Sequence, residues 1–317
     1  MRTLIIGAGA LGIAIGTSLK KSGFEVDFFA REATKKAIDT NGLVRTGLFD
    51  GIIINAGEVG TYTEYSKLPK NAYDYVIIST KTVANEEVSH ALYDNKACMK
   101  KNCKIVFMQN GMGYEQPFLD KFDKSQIYHS RVITGFKRED LCRSVITAHQ
   151  APILIGSMYG FDAKPIEPIV DAINASGMEA QIEEDINKAI WSKLIYNTTL
   201  NPLSAVLDMS YGELADSEHA HSIMDILIEE SFEIMKASGG CTYWSDADEY
   251  REALFEEMIP VTYNHRSSTL QDIEKKDKTE IDTLTGSLLN YASQCNVAAP
   301  MHSMVYYLIK AIEEKFQ

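Results

Sequence analysis

Three residues in "WSKLIYNTTLN" (191–201) have the types and spacing to do chemistry together. Lys193, Asn197 and Asn201 recur at i, i+4 and i+8, which stacks an ammonium and two amides on one helix face. Leu194, Ile195 and Leu200 mark other parts of the same helix as buried. A solvated stripe would more often hold Glu and Lys. This row reads as a wall that grips something polar; the plainer reading is a surface stripe whose amides satisfy nearby loops.

A second constellation opens the chain. "IIGAGALGIAIG" carries Gly7-x-Gly9-x-x-Gly12 between a strand pattern and a helix pattern. A tight turn, a bare backbone beside a pyrophosphate and close helix–strand packing each call for glycine. The helix N-terminus adds unpaired N–H groups and a partial positive charge. Gly7, Ala8, Gly9, Ala10, Leu11 and Gly12 are therefore expected to cradle a dinucleotide. The next strand ends "FFAR", and Arg31 suits a ribose 2′-phosphate by charge and fork geometry, which favours NADP(H). Asp27 and Glu32 are its competitors, since NAD-preferring domains place a carboxylate there. Lys81 after "VIIST" and Asn110 opening "NGMG" also fall at strand ends, as cofactor contacts or as ordinary turn residues.

The elements that must hold these groups divide into two halves. "TLIIG" (3–7), "EVDFFAR" (25–31), "YDYVIIST" (73–80), "KIVFMQ" (104–109), "IYHSRVIT" (127–134), "SVITAH" (144–149) and "ILIGS" (153–157) read as strands between helical segments. That alternation predicts an α/β domain with a doubly wound, mostly parallel Rossmann-type sheet over 1–185, "MEAQIEED" (178–185) being its last strand. From Ile186 onward, 3.6-residue periodicity takes over in 186–209, 217–238, 246–258, 262–275 and 279–294, which predicts an all-helical domain over 186–317. Lys193 would open that domain, beside an interdomain cleft of the kind that favours ligand sites.

Composition narrows the class. The net charge of −13 argues against nucleic-acid and anionic-membrane partners, which want a basic patch. It leaves room for an anionic small molecule at a local Lys/Arg site. No apolar run approaches the roughly 20 residues of a membrane span, and no signal-peptide layout precedes the first strand. Five cysteines without a framework or a completing His/Cys pair read as reduced structural thiols in a cytoplasmic protein. "HAH" (219–221) does not place both imidazoles on one helix face, so no metal site is expected. His149 and His302 read as structural. A homodimer is compatible with the helical half.

Together "GAGALG" (7–12), "STKT" (79–82), "QNGMG" (109–113), "WSKLIYNTTLNPLSAV" (191–206) and "SSTLQDIEKKDKTEID" (267–282) resemble the ketopantoate reductase (2-dehydropantoate 2-reductase) family. The resemblance implies a Rossmann domain followed by a helical domain, and reduction of a 2-oxo acid by NADPH. It implies Lys193 as the catalytic lysine, with Glu280 as the carboxylate beside it. It also implies Asn197, Asn201 and Ser268 as substrate ligands, and Asn110 near the nicotinamide. The chain departs from the family in having His265 where an Asn is usual, and in lacking the glycine usual after the His of "AHQAPILIG". His265 is either a substitute hydrogen-bond donor to substrate or a half-buried helix residue. The first would favour another branched 2-oxo acid, and a non-catalytic NADPH sensor is the rival of a different class.

Reduction of a 2-oxo acid needs a group to stabilise and protonate the nascent alkoxide, and another to fix the carboxylate. Lys193 would answer the first need, with Glu280 orienting it and keeping it charged. Ser268 and Glu280 stand twelve residues apart, about 18 Å on one straight helix. A break near "KKDK" (275–278) is therefore expected; the plainer reading of "TEID" is a capping box, Thr279-x-x-Asp282, starting a new helix, which supports the break and leaves room for a role of Glu280.

Overall fold

The computed structural model describes residues 1–316. Contacts divide the chain into two compact units, Met1–Gln109 with Tyr114–Ile186, and Asn110–Gly113 with the chain from Asn187 onward.

The first unit opens with β1 (Arg2–Ile6), α1 (Ala10–Lys21), β2 (Glu25–Phe29) and α2 (Glu32–Asn41). Three short strands follow, β3 (Leu43–Gly47), β4 (Ile52–Ile54) and β5 (Gly60–Tyr62), then β6 (Tyr73–Ile78), α3 (Asn85–Asp94), β7 (Met99–Phe107) and α4 (Gln116–Leu119). It closes with β8 (Ile127–Arg131), β9 (Thr134–Arg138), β10 (Arg143–His149), β11 (Ile153–Gly156), α5 (Glu167–Asn174) and β12 (Ala180–Ile182).

Among the described residues the strands form two sheets. One has eight strands in the order β12-β11-β8-β7-β6-β1-β2-β5, and the other four, β4-β3-β10-β9. Pairing in the larger sheet is parallel except between β11 and β8. Its strands are apolar on both faces, as burial on both sides requires. Alternate residues feed separate cores: Ile5, Ile77 and Val106 pack into one, Leu4, Ile6, Val76 and Ile78 into the other.

The smaller sheet departs from the expected plan. "SVITAH" joins it rather than the main sheet, parallel to β3 and antiparallel to β9. β4 and β5 are three residues each, and β3 breaks its apolar start with Arg45 and Thr46, so none stands out as a strand in sequence. Burial lifts the Cys98 thiol to about 11 and pushes Cys103 up as well, so both stay protonated and inert.

In the second unit, α6 (Ile186–Leu207) is followed by α7 (Tyr211–Asp216), α8 (Glu218–Ala237), α9 (Ala247–Ala253), a π-helical turn (Leu254–Met258) and α10 (Ile259–Val261). α11 (Ser268–Glu274), α12 (Thr285–Cys295) and α13 (Pro300–Glu313) complete it. The expected break is present: α11 ends at Glu274, Lys276 adopts φ 58°, and no helix resumes before Thr285.

The Thr279 capping box does not form. The Thr279 hydroxyl donates to Glu313 Oε1 (2.7 Å), and the Asp282 carboxylate accepts from Tyr306 (2.8 Å) and Lys310. α13, which periodicity did not bring out, thus pins the turn at 279–284. Nor does the 262–275 segment begin as a helix, since residues 263–267 form a loop and Ser267 caps α11. Among the described residues no helix is long and apolar enough to cross a membrane.

Candidate active site

The glycine loop joins the end of β1 to α1, where the sheet order switches direction between β2 and β6. Open α/β sheets bind ligands at such points, outside the carboxyl ends of the strands. Gly7 has φ 106°, and a Cβ there would lie 2.8 Å from the Thr80 backbone nitrogen. A side chain is therefore excluded both by conformation and by space. Gly9, by contrast, has nothing within 4 Å of a Cβ position. It is the N-cap of a helix whose cap makes no side-chain hydrogen bond and whose first turn holds no acid. That cradle, with open space beside a bare backbone and unpaired N–H groups, fits the pyrophosphate of a dinucleotide.

Arg31 is exposed at the N-cap of α2, just beyond β2, and Lys81 is exposed just beyond β6. Both strands run parallel to β1, so these residues share the edge that carries the glycine loop. Of the competitors to Arg31, Asp27 is spoken for. It is buried, paired with Arg2 at 2.8 Å and accepting from Tyr73 at 2.7 Å. Glu32 opens α2 as an exposed first-turn residue.

Ser79 and Gln109 stand out in the sequence only as parts of motifs. Ser79 Oγ donates to the Gly7 carbonyl (2.7 Å), and Gln109 Nε2 to that of Thr80 (2.7 Å). Gln109 also exchanges two amide hydrogen bonds with Asn85 (2.8 and 2.9 Å). These bonds, the Asn85 pair fully buried, lock the ends of β1, β6 and β7 together. Polar residues inside apolar strand ends were the available signal.

In the second unit, Lys193, Asn110 and Glu280 come together. Lys193 Nζ donates to Asn110 Oδ1 (2.6 Å), and Asn110 Nδ2 donates to Glu280 Oε2 (3.3 Å). Asn110 thus bridges the ammonium and the carboxylate. Gly111 makes the bridge feasible: it has φ 93°, and a Cβ there would lie 2.1 Å from the Thr283 carbonyl oxygen. The same oxygen accepts from Met112 N–H (3.3 Å). Leu194 and Ile195 are buried, which fixes the rotation of α6 and holds Lys193 and Asn197 half-exposed.

Farther along the row, Asn201 is buried and its Oδ1 accepts from the Tyr211 hydroxyl (2.7 Å). Its backbone oxygen accepts from Ser267 Oγ (3.2 Å). Ser268 is exposed at the first position of α11. His265 is a loop residue rather than a helix residue, and its ring packs on Tyr211 at 4.9 Å. His265 is exposed as a residue, yet desolvation of its imidazole lowers its pKa. Tyr211 is a partner of the row that its own spacing does not reveal. Its signal was the capping box Ser210-x-x-Glu213, which the structure forms in full.

His149 and His302 hold structure together. His149 bonds Thr134 Oγ1 and the Glu179 N–H, while buried His302 bonds Glu230 and Ser231. Among the described residues no three His, Cys, Asp or Glu side chains are grouped to hold a metal.

A glycine cradle at the switch point of a doubly wound sheet, with a helical unit that presents a hydrogen-bonded lysine, defines a nicotinamide-dinucleotide oxidoreductase. Family models bear on which one. Ketopantoate reductase PanE/ApbA matches residues 3–160, and the C-terminal part of the same family matches 185–313. The 2-dehydropantoate 2-reductase of Aquifex aeolicus (strain VF5) is 31% identical over 314 residues, covering 99% of this chain and 97% of that protein. The chain belongs to the ketopantoate reductase family, whose members act on CH–OH groups.

Solved structures agree on the fold. The PanE/ApbA family ketopantoate reductase from Ralstonia eutropha JMP134 superposes with a TM-score of 0.85 at 22% identity, covering 100% of both chains. D-mandelate dehydrogenase, solved with NADH and anilino(oxo)acetate, gives 0.84 at 22% identity over 100% of this chain and 99% of that one.

Proposed function

We propose that this protein reduces 2-dehydropantoate to pantoate with NADPH, with Lys193 as the general acid. The observation that carries the reading is the Lys193–Asn110–Glu280 chain of hydrogen bonds. Family membership supports the substrate, and exposed Arg31 beside the glycine cradle supports the 2′-phosphate. Bound in that cradle, the dinucleotide supplies a hydride to C2 of the substrate.

The work of the protein is to manage the oxygen. As the C2 carbonyl π bond breaks, the oxygen becomes an alkoxide that the Lys193 ammonium stabilises and then protonates. Asn110 accepts one of the ammonium N–H groups and so aims the others. Its own NH2 is held by Glu280, so the amide cannot flip and present a donor to the lysine. Ser268 at the start of α11 and Asn197 on the row bind the substrate carboxylate and the atoms beside it.

A second reading, reduction of a different branched or aryl 2-oxo acid, is favoured by the Tyr211–His265 packing, which brings aromatic surface to the row. The test is steady-state NADPH oxidation with ketopantoate, 2-oxoisovalerate, 2-oxo-3-methylvalerate and benzoylformate. The highest kcat/KM with ketopantoate supports the first reading, and a clear preference for another acid supports the second. NADPH binding without turnover of any acid would sink both and leave a sensor.

A further inference from the structure

Glu280 sits on a stretch that no helix holds. α11 ends at Glu274 and α12 begins at Thr285, so the backbone entering Glu280 has no helical ladder to fix it. Its partner is a side chain 34 positions away. Thr279 N–H and Oγ both donate to Glu313 Oε1, at 2.8 and 2.7 Å. The Thr279 hydroxyl oxygen in turn accepts from Ile281 N–H (3.2 Å). One carboxylate oxygen thus fixes the residue before Glu280 directly and the residue after it through a hydroxyl. Thr279, Ile281 and Glu313 are all buried, so a lost bond would leave a buried polar group unpaired.

The stability of α13 does not account for this carboxylate. Glu313 is the last residue of that helix, where the dipole disfavours negative charge, and burial disfavours it further. Lys310 offsets part of that cost, 3.1 Å from Glu313 Oε2. The same ammonium donates to Asp282 (3.1 and 3.2 Å), which also accepts from the Tyr306 hydroxyl (2.8 Å). All of these groups converge on 279–282, the segment that offers Glu280 to Asn110 Nδ2.

We propose that Glu313 is a positioning residue for the reaction: by accepting both Thr279 hydrogen bonds it sets the Glu280 carboxylate against the Asn110 amide, and through that amide it aims Lys193. This inference rests on the reading of Lys193, Asn110 and Glu280 given above.

The test is steady-state NADPH oxidation by the whole protein, with whichever of the four 2-oxo acids wild type reduces best. Glu313→Leu removes the acceptor at similar bulk. Its kcat should fall about five- to tenfold, the weight of one hydrogen bond, while KM for the acid stays within about twofold. Glu313→Gln keeps an acceptor oxygen for Thr279, so its kcat should stay within about twofold of wild type. In a Glu280→Ala background, Glu313→Leu should change kcat by less than about twofold, because residues of one network are not additive. A purely structural role would lower kcat alike in both backgrounds. Undiminished kcat in Glu313→Leu, an equal loss in Glu313→Gln, or losses that multiply with Glu280→Ala overturn the assignment. Wild-type kcat in Glu280→Ala, or no turnover by wild type, overturns the underlying reading and the assignment with it.

Should Glu313→Leu fold poorly, Thr279→Val removes the hydroxyl at nearly constant shape and leaves the backbone bond to Glu313 in place. Its kcat should fall about threefold, and that loss should vanish in the Glu280→Ala background. Wild-type kcat in Thr279→Val, or the same loss without Glu280, also overturns the proposal.

Discussion

Asn110→Ala is the sharpest probe of the proposed catalytic chain. It removes the acceptor 2.6 Å from Lys193 Nζ and the donor 3.3 Å from Glu280 Oε2 in one step. A hydrogen bond to a charged group contributes about 1.5–3 kcal/mol, and the short contact to the ammonium belongs in that range. The longer contact to Glu280 adds little beyond it. A loss of about 2–3 kcal/mol in transition-state positioning corresponds to a fall of roughly 30- to 150-fold in kcat.

The assay is the initial rate of NADPH oxidation at saturating concentrations of both substrates, with KM for the 2-oxo acid measured in parallel. KM should move by less than about threefold, because the lost contacts orient the acid catalyst rather than bind the substrate. Glu280→Gln adds a second axis. If Glu280 acts on Lys193 through Asn110, the double variant should be no slower than Asn110→Ala alone, because residues in one network are not additive. A kcat for Asn110→Ala within threefold of wild type would refute the reasoning, as would losses that simply multiply in the double variant.

Three further perturbations separate the other elements. Gly9→Ala should leave the thermal midpoint of the unliganded protein unchanged or slightly raised, since φ −80° and open space accept a Cβ, while dinucleotide affinity measured by calorimetry drops at least tenfold as the pyrophosphate loses its close approach. Arg31→Ala should raise KM for NADPH by about 10- to 100-fold, the weight of a charge-assisted phosphate contact, and leave KM for NADH within about twofold; an unchanged ratio of the two would show that Arg31 does not read the 2′-phosphate. Burial of Glu230 opposes its ionisation, but hydrogen bonds from His302 and from the Met301 and His302 N–H groups outweigh that and lower its pKa. A carboxylate with a depressed folded-state pKa stabilises the fold above its unfolded value and loses that contribution as pH falls through the folded one. Wild type should therefore lose stability below about pH 4.3, and Glu230→Gln should be less stable at neutral pH with a shallower acid limb in urea titrations.

The local chemistry was legible in the chain itself. A glycine turn between strand and helix, and an ammonium and two amides at four-residue spacing, depend only on neighbours within a few residues. The periods of the strand and the helix therefore expose them. The change from alternating elements to long helices near Ile186 was legible for the same reason. So was the break before Glu280, because no straight helix could have kept Ser268 and Glu280 within reach of one small molecule.

What the tertiary structure decided was the partners. Asn110 meets Lys193 across 83 positions and Glu280 across 170. Neither meeting leaves a periodic trace. The bridge exists because Gly111 can press its backbone against Thr283, and because α13 pins the turn that carries Glu280 through Glu313, Tyr306 and Lys310. Likewise, the sequence shows that Asn201 is an amide on the row, but only the fold brings Tyr211 to its oxygen. Spacing along a helix determines which groups share a face; packing between distant segments determines which of their hydrogen-bonding atoms are already occupied.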